Sequence, residues 1–278
     1  MYYYSMQPAQ ELDIHRLFDS YKQNNDICLC IITAGIDNAY HSSYVRTLLS
    51  TQLLLLEKNI KHAIVCTDFK NNKYTTMNEA FSFAIHRPEY THVLYIDSNV
   101  EWEPTDILKL IVADKRVCGV VCPEPSYNWG RITKNSDKLT QYMENPKENE
   151  YNISSILTNH KVNYGNASIE VVVSKNLMQV NMISTNLLLV SVDVLNRMAD
   201  LDQVLRYDTP YCDFPTYTFF ISAIIDNKII CEEETFFRNI KETNYTIWAD
   251  VTIKNRMFVN HCFHSDFITY LISDTTKI

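Results

Sequence analysis

Apolar runs of strand length alternate with helical patterns through residues 26–130, and this alternation restricts the possible folds more than any other feature. Ile27–Thr33 is a continuous apolar run closed by Ala34-Gly35; Lys61–Thr67, His92–Asp97 and Arg116–Cys122 are three more. Helical stretches stand between them. In Tyr44–Asn59 the residues Val45, Leu48, Leu49, Gln52, Leu55 and Leu56 recur at helical spacing. Ser42 or Ser43 suits the N-cap, and the leucines at 53–56 are expected to face the core. Thr75–His86 stops at Arg87-Pro88, and Thr105–Ala113 follows Pro104 at the first helical position. Strands and helices in this order predict βαβ units and a parallel sheet buried on both faces. Such sheets hold ligands at the carboxyl ends of their strands, where Thr33, Asp68, Asp97, Ser98 and Asn99 fall.

Before this region, residues 1–25 form a polar, tyrosine-rich lead-in with one short helix over Glu11–Tyr21. After Trp129 the regularity fails. Lys134–His160 is polar and asparagine-rich, the pattern of a long surface loop or lid, or of a partly disordered insert. Ser168–Val173 and Asn186–Val190 read as strands, Val192–Ala199 and Tyr217–Ile225 as short helices, and Lys228–Cys231 and Thr246–Ala249 as extended pieces. With no repeat and no linker, residues 1–278 are expected to form one domain, α/β in its first half and mixed in its second.

Composition narrows the function. The chain has 278 residues with 25 Lys+Arg against 33 Asp+Glu, a net charge of −8. That balance argues against a nucleic-acid partner, which needs a basic face to displace counterions. Only 4 glycines occur, where average usage of about 7% would give roughly 19. No G-x-G-x-x-G and no Walker A loop can be written, so any nucleotide must be held without a glycine cradle. The 8 cysteines, Cys28, Cys30, Cys66, Cys118 and Cys122 among them, lie mostly in apolar runs and read as small buried hydrophobes in reduced, intracellular surroundings. The first residues lack a basic and apolar leader, and no stretch is long enough for a membrane span, so a cytoplasmic protein is expected. The N-x-Ser/Thr triplets at Asn152, Asn166 and Asn244 read as chance.

The segment Tyr95-Ile96-Asp97-Ser98-Asn99-Val100-Glu101 carries the most chemistry. An acid at the end of a buried strand, with an amide oxygen two residues on, places two oxygens where a hard divalent cation can take them. A cation there would act as Lewis acid for a leaving diphosphate. The same residues also suit an ordinary turn.

In order along the chain come Ile32-Thr33-Ala34-Gly35, Ser43-Tyr44-Val45 with Leu48-Leu49, Thr67-Asp68, Met77-Asn78, Thr91–Asn99, Val100-Glu101-Trp102-Glu103-Pro104, and Val120–Pro123 ending in Asn128-Trp129. This series resembles the nucleotide-sugar half of GT-A fold glycosyltransferases, particularly those encoded by large DNA viruses and phages. A looser similarity runs through Ile183–Val190, Tyr217–Phe220 and Ile247-Trp248-Ala249-Asp250 to His261. The resemblance implies a Rossmann-type, mostly parallel sheet with helices on both faces and a mixed C-terminal half. Residues 26–130 would be the donor half and 131–278 the acceptor side, with a lid at 134–160. It also implies a nucleotide-sugar donor, most often a UDP-sugar, and a glycan or protein acceptor. Mn²⁺ or Mg²⁺ would sit on a D-x-D motif that falls on Asp97 and Asn99, with His261 completing the shell. Thr33, Ala34, Asp68, Asn78, Asp97 and Ser98 would line the donor pocket.

The chain departs from the family's pattern at several points. Asn99 replaces the second Asp, Met77 stands where an arginine is expected, Ser184-Thr185-Asn186 replaces a glycine-rich segment, and Pro215-Thr216 replaces an acidic pair. The catalytic base then falls to Asp213, with Asp208 second. Four altered segments also admit a different reading, an inactive relative that binds without turning over. Trp129 and Trp248 are candidates for stacking on sugar, or for plain packing. His264 and the acidic run Glu232-Glu233-Glu234 are expected to have no role, the latter as a solvated face.

Overall fold

The computed structural model describes residues 13–35, 40–68, 72–131, 140, 154, 156–163, 173–174, 176–201, 204–259 and 261–270. In the first half, α1 (Ile14–Lys22) leads to β1 (Cys28–Gly35), α2 (Ser42–Glu57), β2 (Lys61–Asp68), α3 (Lys73–Ile85), β3 (His92–Asp97), β4 (Val100–Glu101), α4 (Pro104–Val112), β5 (Val117–Val120) and β6 (Pro123–Tyr127). In the second, β7 (Thr158–His160), β8 (Val162–Asn163), β9 (Val173–Ser174), β10 (Leu177–Val180), β11 (Met182–Ile183) and β12 (Leu187–Ser191) precede α5 (Val192–Asp200). Then come β13 (Arg206–Tyr207), β14 (Thr216–Tyr217), β15 (Ala223–Ile225), β16 (Lys228–Ile230), α6 (Glu232–Glu242), β17 (Ile247–Asp250), β18 (Asn255–Phe258) and β19 (Cys262–Ser265).

Eight strands form the central sheet in the order β2-β1-β3-β12-β5-β17-β10-β9. β1 pairs in parallel with β2 and β3, and β5 with β17. β12 and β10 run against their neighbours. The sheet is mostly parallel in direction, and strands from both halves of the chain share it. An apolar run fixes a strand's burial but not its direction, so the sequence marks β12 as a strand without placing it between β3 and β5.

Alternation along the strands sends side chains to two cores. Leu29, Ile31, Leu94, Ile96, Leu187 and Leu189 pack with α1, α2 and α4. Cys30, Ile32, Val93, Tyr95, Leu188 and Val190 pack with α3, α5 and α6. The architecture is therefore a Rossmann-like α/β sheet with helices on both faces. Gly119 in β5 lets the second core close. A Cβ there would lie 2.3 Å from Ile183 Cδ1 and 3.0 Å from the Leu187 carbonyl.

Four expectations are corrected. The stretch 217–225 is not a helix; it splits into β14, a bend and the β15–β16 hairpin, whose turn holds Asp226 and Asn227 at positive φ. The N-cap of α2 is His41, whose ring accepts the Ser43 N–H. Helix α2 buries Tyr44, Thr47, Thr51, Leu54 and Leu55 rather than the Val45–Leu49–Leu56 side. Its buried face is partly polar because Thr51 accepts the Trp102 indole N–H, while apolar residues on the outer face misled the periodicity. Cys66 is exposed, because β2 is an edge strand.

Candidate functional site

The chain passes from β2, on one side of β1, across to β3 on the other. The reversal point of the sheet is thus the β1–β3 pair, whose carboxyl ends are in register at Ala34 and Asp97. On the far side of β1, Gly35 is in register with Asp68. Crevices of open α/β sheets lie at such points. Thr33, Ala34, Asp68, Asp97, Ser98 and Asn99 therefore share one edge of the sheet.

Asp97 is 6% exposed. Its N–H donates to the Asn186 carbonyl, and its Oδ1 accepts the Asn99 N–H at 3.1 Å. Its Oδ2 lies 2.9 Å from Lys73 Nζ. Lys73 opens α3, so the βα loop after β2 brings an ammonium group to the end of β3. The same Nζ reaches Asn186 Oδ1 at 3.4 Å. Thr33 is fully buried and its hydroxyl meets the Tyr44 hydroxyl, whose pKa burial pushes up. Ser98 is buried in the turn after Asp97.

A second buried carboxylate joins this edge. Glu233 is 3% exposed; its Oε1 accepts the Thr185 hydroxyl at 2.8 Å and its Oε2 pairs with Lys161 Nζ. Burial lowers the Lys161 pKa, but the Glu233 charge outweighs it and the net shift is upward. Burial raises the Cys122 thiol's pKa, and the Asp97 and Glu233 charges add to that rise. The expectation of a solvated acidic run fails at its middle residue. Helical spacing held the signal: Glu233, Phe236, Phe237 and Ile240 share one buried face of α6. Ser184-Thr185-Asn186 links the two networks, Thr185 to Glu233 and Asn186 to Lys73.

Other expected site residues lie elsewhere or are engaged. Asn78 is buried, but its Nδ2 donates to the Phe220 carbonyl and its Oδ1 accepts the Phe220 N–H. It tethers α3 to the 220 region instead of facing a ligand. Asp213 is exposed. Its neighbour Phe214 packs on Phe83 and His86, and the Tyr217 N–H donates to Ser82 Oγ. These contacts lie at the far end of α3 from Lys73, about 14–20 Å along the helix at 1.5 Å per residue. Asp213 is therefore not placed to serve as base for chemistry at Asp97. His261 is exposed and its Nε2 is 2.7 Å from the Tyr127 hydroxyl. The Asn99 main-chain carbonyl accepts the Phe258 N–H. Trp129 is exposed, and Trp248 lies under Lys115. Most of the expected lid at 134–160 lies outside the described residues.

Mn²⁺ or Mg²⁺ would need lone pairs of Asp97, Asn99 and His261 free to face one point. Both Asp97 oxygens already accept hydrogen bonds, one from an ammonium, and the His261 Nε2 is taken by Tyr127. Among the described residues there is no group of three or more His, Cys, Asp or Glu side chains that could hold a metal ion. As arranged, these residues do not fit a resident divalent ion. The cation beside Asp97 is Lys73.

Among the described residues no helix is long and apolar enough to cross a membrane. No family model matches the chain, and no curated protein matches it. A solved structure, titled "Crystal Structure of A197 from STIV", is similar over 86% of this chain and 94% of that one, at 10% identity and a TM-score of 0.45.

Proposed function

We propose that the protein transfers a sugar from a nucleotide-sugar donor, most simply a UDP-sugar, at the carboxyl edge of the sheet between β1 and β3. One observation carries this reading: the Lys73–Asp97 pair at the reversal point, with Thr33 and Ala34 across from it. The donor's nucleoside would lie over the ends of β1 and β2, near Thr33, Ala34 and Asp68. Its diphosphate would meet the Lys73 ammonium at the start of α3, where the Asn72 side chain already caps the Tyr74 N–H. Charge grows on the diphosphate as the sugar leaves, and a fixed ammonium beside it lowers that barrier. Asp97 then holds the Lys73 ammonium in place. The resemblance to GT-A glycosyltransferases in the 26–130 stretch agrees with this placement.

A second reading keeps the binding and drops the turnover. It is favoured by the direct pairing of Asp97 with Lys73, which leaves no carboxylate free at the end of β3. Hydrolysis of UDP-sugars separates the two. A donor-hydrolysis rate above background, lost in Lys73→Met, supports transfer. Binding of UDP with hydrolysis at background supports the binding module.

A further inference from the structure

Helix α2 is apolar on the side away from the core. Val45, Leu49, Leu53 and Leu56 are 41%, 55%, 69% and 57% exposed. At about 100° per residue they fall within an arc of about 80°. That arc is centred opposite the buried Tyr44, Thr47, Thr51, Leu54 and Leu55. Their spacings of four, four and three residues make a continuous seam along the helix, the pattern that packs against another helix. A contiguous apolar stripe of this kind marks an interaction surface rather than scattered exposure.

The charges beside the seam say which partner fits. Arg46 and Glu57 lie on the same flank, at nearly equal distances on either side of Thr51. Two copies of α2 docked antiparallel, about a two-fold axis that crosses the seam midway between Leu49 and Leu53, would set Leu49 of one copy against Leu53 of the other. They would also set Arg46 of each copy against Glu57 of the other, forming the pair twice. Parallel docking would set this flank against the uncharged Leu48–Gln52 flank and form neither pair. Antiparallel docking also lets the helix dipoles offset each other. A membrane fits less well, because the flanks carry Ser42, Ser50 and Gln52 rather than a row of cations. Arg46 binds Glu101 Oε1 at 2.6 Å, yet its side chain is 71% exposed. Its five donors can serve a second carboxylate, and Arg256 also holds Glu101.

We infer that α2 is the self-association surface of this protein and that two copies dock through it in antiparallel fashion. The inference does not depend on the proposed transferase activity. A single helix seam is at the small end of stable interfaces, so dissociation in about the 10–100 µM range is expected. Sedimentation velocity across that range should show a shift from monomer to dimer. Leu53→Glu should remain monomeric throughout, with an unchanged melting curve because Leu53 is exposed. Arg46→Glu and Glu57→Lys should each weaken self-association at least tenfold, and an equimolar mixture of the two should recover it. Wild-type protein that stays monomeric, with or without flotation on phosphatidylserine vesicles, would overturn the inference. So would a Leu53→Glu variant that dimerises like wild type, or a charge-swapped mixture that fails to associate.

Discussion

Lys73 at the start of α3 stands 2.9 Å from Asp97 at the end of β3, so the helix supplies the counter-charge for the strand's buried carboxylate. Breaking one side of a buried pair typically costs about 3–5 kcal/mol. The Lys73 side chain is 27% exposed, which lowers the expectation for Lys73→Met to roughly 2–3 kcal/mol. Adding Asp97→Asn should return most of that loss, because the neutral amide needs no cation. Urea unfolding of the wild type and the two variants measures both effects. Equal losses in the single and double variants would mean that the pair does not matter.

The second pair predicts a measurable coupling. Glu233→Gln keeps an acceptor for Thr185 but abandons Lys161, and Lys161→Met leaves the Glu233 charge buried. In a double-mutant cycle the combined variant should be less destabilised than the sum of the two, by about 1–3 kcal/mol. Simple additivity would contradict the pairing.

Gly119→Ala places a methyl group against Ile183 and the Leu187 carbonyl. The backbone oxygen cannot retreat without disturbing β12, so a loss of about 1–3 kcal/mol is expected. Ile183→Val, added to it, should recover only part. Thermal melts with calorimetric enthalpies provide the check.

Two histidines make the fold sensitive to acid. Burial, first, and then Arg116 lower the His92 pKa to about 4; burial, then Arg131, lower that of His160 to about 3. The unfolded chain takes up these protons near pH 6.5 and the folded one does not. Stability is therefore kept above that pH and lost as pH falls through 6.5 toward 4. At pH 5.5 each should have removed about 1 kcal/mol. Burial raises the pKa of Asp106 and Asp250, which acts in the opposite sense. His92→Asn should reduce the loss between pH 7 and 5.5 by about half. An unchanged slope in stability against pH would contradict this assignment.

The sequence carried the β1–α4 series well because each element there has its own local signal. His92–Asp97 is recovered with both ends, since Thr91 precedes the apolar run and the Ser98-Asn99 turn ends it. Pairing over distance is what the sequence hides. Lys73 and Asp97 are 24 residues apart, and Lys161 and Glu233 are 72 apart. Nothing local marks either lysine as a partner. Asp213 looked suitable because of its place just before Tyr217, yet packing of Phe214 on α3 carries it to the wrong end of the sheet. The outer leucines of α2 had the right period and the wrong face, because a helix apolar on two sides gives no single direction to bury.

Titration calorimetry with UDP is the most direct test of the claim that the β1–β3 edge is a nucleotide-diphosphate site built on Lys73. The account predicts saturable binding by the wild-type protein, at least tenfold weaker binding by Lys73→Met and by the Lys73→Met/Asp97→Asn double variant, and unchanged binding by Asp213→Asn. Absence of binding at millimolar UDP, or equal affinity without Lys73, would contradict it.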